Sequence, residues 1–220
     1  MGDNYQPNQT VLANLPEVTL LIVVGPTAVG KTTLVNTAVA RCPALHPVLT
    51  TTSRPARAGE ENDIDFHFRS REEIEARKAR GEYVQVAVHP SGEYYATAPE
   101  DYSVQGVAIM AVMADAMPVF KALPFKNIRT IFVLPASWEQ WQQQLKDHQF
   151  TPEQREKRLA EARRSLRYAI DTPDLAFVIN DDIIQSSLEF TQIALGAAPA
   201  ANEFACRDLA ATLLKELQNR

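Results

Sequence analysis

Gly25-Pro26-Thr27-Ala28-Val29-Gly30-Lys31-Thr32 reads G-x-x-x-x-G-K-T, a pattern suited to gripping a nucleoside triphosphate. The glycines let successive backbone N–H groups turn inward toward anionic oxygen, and a helix start adds partial positive charge. Lys31 is placed to reach the outer phosphates, and the Thr32 hydroxyl to ligate Mg2+. A second constellation, Thr50-Thr51-Thr52-Ser53-Arg54-Pro55-Ala56-Arg57-Ala58-Gly59-Glu60, sets hydroxyls and two guanidinium groups at the end of a strand-like run. Arginine forks match phosphate oxygens in pairs. Beside a phosphate loop they read as a second phosphate site. Other reactive side chains fit plainer roles. His67, His89 and His148 read as surface or structural, and Asp63 and Asp65 as turn residues, because no calcium-loop spacing follows. Trp138 and Trp141 read as packing. Arg155, Arg158 and Arg163 alternate with Glu153, Glu156 and Glu161, which suits a salt-laced helix better than a nucleic-acid stripe.

These groups need a scaffold, and the apolar pattern supplies one. Strand-like runs at 19–24, 48–51, 107–113, 129–134 and 175–179 alternate with helical patterns at 31–41, 116–123, 137–149, 152–169 and 183–195. Near-continuous apolar strands in that alternation predict an α/β fold, a parallel sheet covered by helices on both faces. The first run leads directly into the glycine-rich stretch, and residues 31–40 behind it read as helix. Ser137 with Gln140 and Thr151 with Gln154 fit capping boxes, with Pro152 at a first helical position. Between 50 and 97 the grammar changes. Residues 64–68 alternate like a strand, Ser70 with Glu73 caps a short charged helix that Gly81 ends, and 83–89 with 93–97 predict a hairpin turned by Pro90-Ser91-Gly92. A last amphipathic helix is expected at 203–217, packed on the core or forming a dimer contact, so monomer and homodimer stay open.

The 220 residues suffice for one such domain. A net charge of −5 implies no general affinity for nucleic acid or an anionic membrane, and no apolar run has the length of a membrane span. Residues 1–17 read as a flexible tail without a signal pattern, and Cys42 and Cys206 as unpaired thiols, so a cytoplasmic location is expected.

Several strings taken together resemble the guanylate kinase family. Thr51 to Glu60 followed by Asp65-Phe66-His67-Phe68 is similar to its T-T-R-x-x-R-x-G-E…D-Y-x-F signature, Tyr94-Tyr95-Ala96-Thr97 to its Y-Y-G-T/S, and Val178-Ile179-Asn180-Asp181-Asp182 to its V-I-N-D-D. The resemblance runs from about Thr19 to Asp182. It implies a P-loop-type parallel sheet with ATP and Mg2+ as donor system and GMP as acceptor. The implied core is 18–49, 98–136 and 170–220, with a nucleoside-monophosphate-binding insertion at 50–97 and a helical lid at 137–169. It further implies that residues 25–33, from Gly25 through Lys31, Thr32 and Thr33, hold ATP, with Asn180 near the adenine. Arg158 would be the lid arginine that reaches the phosphates. Arg54, Arg57 and Tyr95 would hold the acceptor phosphate, and Thr50 and Thr97 would lie near its base.

The chain departs from the family pattern at four places. Gln85 stands where an acid usually reads guanine, and Phe66 where a tyrosine hydroxyl touches the acceptor phosphate. Ala111 and Met113 stand where a strand usually ends in two acids, Asp115 lying two residues on; and Gln142-Gln143-Gln144 replaces further lid arginines. The phosphate-holding groups remain and the base-reading acids are absent, which predicts altered base specificity. Two alternatives follow. One is a ribose bisphosphate kinase-like activity, because Arg54 to Asn62 is partly similar to R-P-x-x-A-G-x-E-N. The other is a non-catalytic interaction module, against which the intact phosphate loop argues.

Overall fold

Residues 20–24 have no accessible surface, as the continuous apolar run predicts for a strand buried on both faces. The computed structural model describes residues 5–89, 92–148, 150–173 and 175–219. In chain order it contains α1 (Gln9–Asn14), β1 (Thr19–Val24), α2 (Lys31–Val39), β2 (Leu45–Pro47), β3 (Thr51–Thr52) and β4 (His67–Phe68). Then come α3 (Arg71–Ala79), β5 (Gln85–Val88), β6 (Tyr94–Thr97), β7 (Val107–Ala111), α4 (Met117–Lys121) and β8 (Asn127–Pro135). The last elements are α5 (Trp138–Asp147), α6 (Pro152–Asp171), β9 (Ala176–Asn180), α7 (Ile183–Ala194) and α8 (Glu203–Gln218). Five strands form a sheet in the order β2-β7-β1-β8-β9, and four form a smaller one in the order β4-β3-β6-β5. β8 and β9 run parallel, Ile131 opposite Ala176 through Pro135 opposite Asn180. This is the expected α/β class.

The chain divides into two compact units: Met1–Leu20, His46–Met110 and Val119–Ile128 in one, Leu21–Leu45, Ala111–Pro118 and Arg129–Arg220 in the other. In the first, the small sheet is closed on one side by Ile74, Tyr83, Tyr94, Ala96 and Ala98, a buried apolar cluster. Ser70 and Glu73 form the full capping box that starts α3. The expected strand at 64–68 shortens to His67–Phe68, because Asp63 adopts a left-handed turn (φ 63°). The Asp63 carboxylate accepts from Asn62 Nδ2 (2.8 Å) and Arg69 Nη2 (2.7 Å). The strand expected at 48–51 is not found there: residues 48–50 link β2 (Leu45–Pro47) to β3 (Thr51–Thr52), which belong to different sheets. Strands β5 and β6 pair antiparallel as expected; Pro90 and Ser91 of the proposed turn lie outside the described residues.

The tail expected at 1–17 needs correction over its described part. The Tyr5 hydroxyl donates to Tyr83 O (2.6 Å) and accepts from Tyr83 N (2.8 Å). Asn8 N donates to Gly81 O (2.8 Å), and Val11 and Leu15 are buried. Buried Val11 and Leu15, the Tyr5 hydroxyl and Asn8 thus dock a segment whose average composition is polar.

In the second unit, Thr151 and Gln154 complete their capping box, whereas the Gln140 side chain accepts from Ala136 N, so Ser137 caps α5 with only half of one. Helix α8 buries Cys206, Ala210, Leu213 and Leu217 and packs chiefly on α6 and β9. The Arg207 guanidinium donates to Ala169 O (2.6 Å), Ile170 O (2.8 Å) and Thr172 O (2.5 Å), satisfying carbonyls at the end of α6. Among the described residues no helix is long and apolar enough to cross a membrane.

Candidate active site

The glycine-rich turn from β1 to α2 lies in the second unit. A Cβ at Gly25 would sit 2.5 Å from Val133 O, so only glycine lets the loop pass that close to β8. Gly30 caps α2 in the left-handed region (φ 86°), and a Cβ there would meet Asn180 Nδ2 at 2.6 Å. Two side chains then fasten the loop from outside it. Asn180, at the end of β9, donates from Nδ2 to Val29 O (2.8 Å), and Trp141 of α5 donates from Nε1 to Thr27 O (2.8 Å). Asn180 therefore has a loop-holding contact of its own. Trp141, expected only to pack, does so edge-on to Trp138 (5.7 Å) and also holds the loop. Trp141→Phe is expected to destabilise the protein by about 1–2 kcal/mol and to weaken nucleotide binding severalfold. Chemical denaturation and calorimetry measure the two effects.

Lys31 opens α2, and its Nζ donates to Gly25 O (2.7 Å) and Pro26 O (2.8 Å). Enclosure of the ammonium pushes its pKa down to about 8, against the opposing pull of Glu161; Arg158 adds to the lowering. Thr32 and Thr33 follow on the exposed side of the first turn. Arg158 lies on α6 and is among the charges that act on Lys31. Glu161, also on α6, corrects a sequence expectation. It is not part of a solvated stripe but only 8% exposed, with Ser165 Oγ donating to its Oε1 at 3.1 Å. Burial pushes its carboxyl up, opposed first by Lys31. On the exposed side of α6 Lys157 Nζ meets Glu153 Oε1 (2.7 Å), whereas Arg163 donates instead to Leu217 O (2.9 Å). Alternating charges of a helix conceal which face will turn inward. Val112 N donates to Val23 O (3.0 Å), which sets the end of β7 beside the end of β1. Ala111 and Met113 offer no acid there, and Asp115 is engaged by Arg164 Nε (2.8 Å).

The arginine-bearing segment lies in the first unit. Arg54 spans Glu60 with both terminal nitrogens (2.7 and 3.0 Å) and is backed by the rings of Phe66 (5.1 Å) and Phe68 (5.5 Å). The Glu60 carboxylate, and then the Tyr95 side chain, hold its pKa above the usual arginine value. Phe66, in place of a hydroxyl-bearing ring, thus has a definite role as a platform for this guanidinium. Arg57 is exposed, and its backbone N donates to Glu60 Oε2 (2.7 Å). Gln85 pairs with Thr97, and Tyr95 with Thr52, across the small sheet. Strand alternation places Gln85, Tyr95 and Thr97 on the face opposite Tyr94 and Ala96. Gln85 is 8% exposed, and the buried Thr97 hydroxyl shares a 2.7 Å hydrogen bond with Tyr102. Thr50 precedes β3 and accepts from His67 N at 3.0 Å.

Several plain expectations agree with the structure. His67 bridges Asp63 and Asp101, and Asp65 accepts from Glu61 N (2.8 Å), both structural roles. Cys42 and Cys206 are unpaired. Asn62, the last residue of the string similar to ribose bisphosphate kinase, has a fold-holding role, its Oδ1 accepting from Phe68 N (2.8 Å) and Arg69 Nη1 (3.0 Å).

Comparison with known proteins gives one consistent result. The family model described as guanylate kinase matches residues 17–197. The guanylate kinase of Symbiobacterium thermophilum is 32% identical over 188 residues, covering 83% of this chain and 87% of its own. That of Cupriavidus metallidurans is 33% identical over 180 residues, covering 79% and 80%. The crystal structure of guanylate kinase from Anaplasma phagocytophilum superposes with a TM-score of 0.60 at 19% identity, covering 80% of this chain and 84% of the other, a likeness of fold.

Proposed function

Because the chain belongs to the guanylate kinase family, we propose that it transfers the γ-phosphate of ATP to GMP, giving ADP and GDP. The observation that carries this is the intact phosphate loop, with Lys31 pinned beneath it by Gly25 O and Pro26 O. An oxygen of the acceptor phosphate attacks the γ-phosphorus, and the bond to the β,γ-bridging oxygen breaks. This chemistry needs in-line positioning and positive charge more than covalent help. The amides of residues 25–33 cradle the ATP phosphates, Lys31 and Arg158 supply the charge, and Asn180 lies near the adenine while it braces Val29. Arg54, Arg57 and Tyr95 hold the acceptor phosphate, Phe66 supports Arg54, and Thr50, Gln85 and Thr97 line the base site. Residues 50–97 form the acceptor-binding subdomain, residues 137–169 the lid, and 18–49, 98–136 and 170–220 the core. Lid closure excludes water, which would otherwise accept the phosphate. The exposed Thr32 hydroxyl at the head of α2 fits an Mg2+ ligand, and that ion neutralises the phosphate oxygens when bound.

A coupled assay with ATP, Mg2+ and each common monophosphate tests the function; ADP formation no faster with GMP than without it would remove the proposal. Base choice has its own test. Gln85 offers one carbonyl oxygen to a base edge that donates, and a carboxylate there would offer two acceptors and a charge. Gln85→Glu is expected to raise kcat/KM for GMP relative to AMP about tenfold or more. An unchanged ratio would place residue 85 away from the base.

A further inference from the structure

Tyr83 and Gln85 are two residues apart, and a regular strand would turn both side chains to one face of its sheet. Here they face opposite ways. Tyr83 is buried in the cluster of Ile74, Tyr94, Ala96 and Ala98, and Val86, opposite Ala96, packs on that cluster too. Gln85, opposite Thr97, takes the other face, that of the proposed base site. A bend at Val84 makes the reversal, and Val84 N still donates to Thr97 O (2.7 Å). The bend takes Tyr83 out of the ladder, so its backbone N–H and C=O need other partners. One side chain supplies both. The Tyr5 hydroxyl accepts from Tyr83 N (2.8 Å) and donates to Tyr83 O (2.6 Å), while its ring packs on the same cluster.

The segment that brings Tyr5 there is fastened along its length, although residues 5–16 precede the stretch shared with the family. Asn8 N donates to Gly81 O (2.8 Å), Asn8 Nδ2 to Arg80 O (3.1 Å), and Val11 and Leu15 are buried. At Gly81, in the left-handed region (φ 70°), a Cβ would lie 3.0 Å from Asn8 N, so glycine there lets the two backbones meet. All of these groups belong to the first unit.

We propose that Tyr5 is a positioning residue for recognition of the acceptor base: by closing both backbone polar groups of Tyr83 it fixes the bend at Val84, and the bend sets Gln85 on the base-site face of β5. Tyr5 touches no substrate itself, and its role rests on the acceptor-site reading given above. A strand that straightened or slipped by one residue would exchange its two faces. Val84 or Val86 would then meet the base, and Gln85 would turn toward the apolar cluster. An N-terminal segment that only added stability would leave base recognition by the folded protein unchanged.

The test is Tyr5→Phe, which keeps the ring and removes the hydroxyl. In the folded variant KM for GMP is expected to rise about fivefold, with kcat changed less than about twofold and the Kd for ATP unchanged. In a Gln85→Ala background the same substitution should have no further effect on KM for GMP, because it acts through Gln85. An unchanged KM for GMP, or an equal rise with and without Gln85, would overturn the proposal. Wild-type protein gives a check that does not depend on a variant folding. By reciprocity, saturating GMP should slow hydrogen exchange at the Tyr83 amide about fivefold, and no slowing would overturn the role. A wild-type protein that does not bind GMP would instead remove the acceptor site itself, and the proposal with it.

Discussion

Replacing Lys31 by methionine is expected to cut kcat/KM for ATP about a thousandfold while changing the stability of the nucleotide-free protein by no more than about 1 kcal/mol. The kinetic loss follows from removing the one ammonium in a loop whose other donors, backbone amides and hydroxyls, are uncharged. The small stability change follows from opposing terms. Enclosure lowers the lysine pKa from 10.5 to about 8, so holding it charged at neutral pH costs the folded state about 3 kcal/mol. Methionine removes that cost along with the two hydrogen bonds to Gly25 O and Pro26 O, which are of similar size. The folded pKa lies below the unfolded one, so between pH 8 and 10.5 the unfolded chain binds the proton that the native state has released. Stability of the wild type should therefore gain from this group as pH rises through that window, and the gain should be absent from Lys31→Met. ATP affinity should move the other way, falling as pH rises through about 8. Steady-state kinetics, chemical denaturation across pH and calorimetry measure the three effects. Wild-type activity in the methionine variant would dismiss the loop as a phosphate grip.

Replacing Arg54 by lysine is expected to lower kcat/KM for GMP about a hundredfold with the Kd for ATP unchanged. Arg54 is arranged for two-point contact: Glu60 fixes both terminal nitrogens, and Phe66 and Phe68 back the guanidinium plane. The fork is thus oriented before an acceptor arrives, and less side-chain entropy is lost on binding. An ammonium keeps the charge but cannot span two oxygens in a fixed plane, so it would lose both the Glu60 clamp and the paired grip on phosphate. Kinetics with GMP varied at saturating ATP give the loss, and calorimetry with ATP alone gives the control. Undiminished kcat/KM for GMP would take Arg54 out of the acceptor site.

The difference between what could be read early and what could not is clear in particular residues. The glycine-rich turn, the α3 capping box at Ser70 and Glu73, and the stop at Gly81 are local events within a few residues, and they appear where the spacing placed them. The strand expected at 48–51 falls on the connection between β2 and β3, because apolar character does not say where the chain leaves one sheet for another. Asp63 shortened the strand at 64–68 through a left-handed turn, which alternation of side chains does not report. The N-terminal segment was underestimated because Tyr5 finds Tyr83 across 78 residues, a pairing no local composition encodes.

The amino-acid sequence by itself determined the fold class, the glycine-rich turn with Lys31 and Thr32 at the head of a helix, and the arginine-bearing segment at 54–57, because each is specified by short-range backbone chemistry or by periodic burial. Only the tertiary structure decided that Trp141 holds Thr27 from 114 residues away, that Asn180 braces Val29, and that Glu161 is buried with Ser165 donating to it. Those choices depend on which face of a helix meets which loop. On α6 the apolar positions Ala162, Leu166 and Ala169 mark the buried face, and packing decides that Glu161 beside them is buried too.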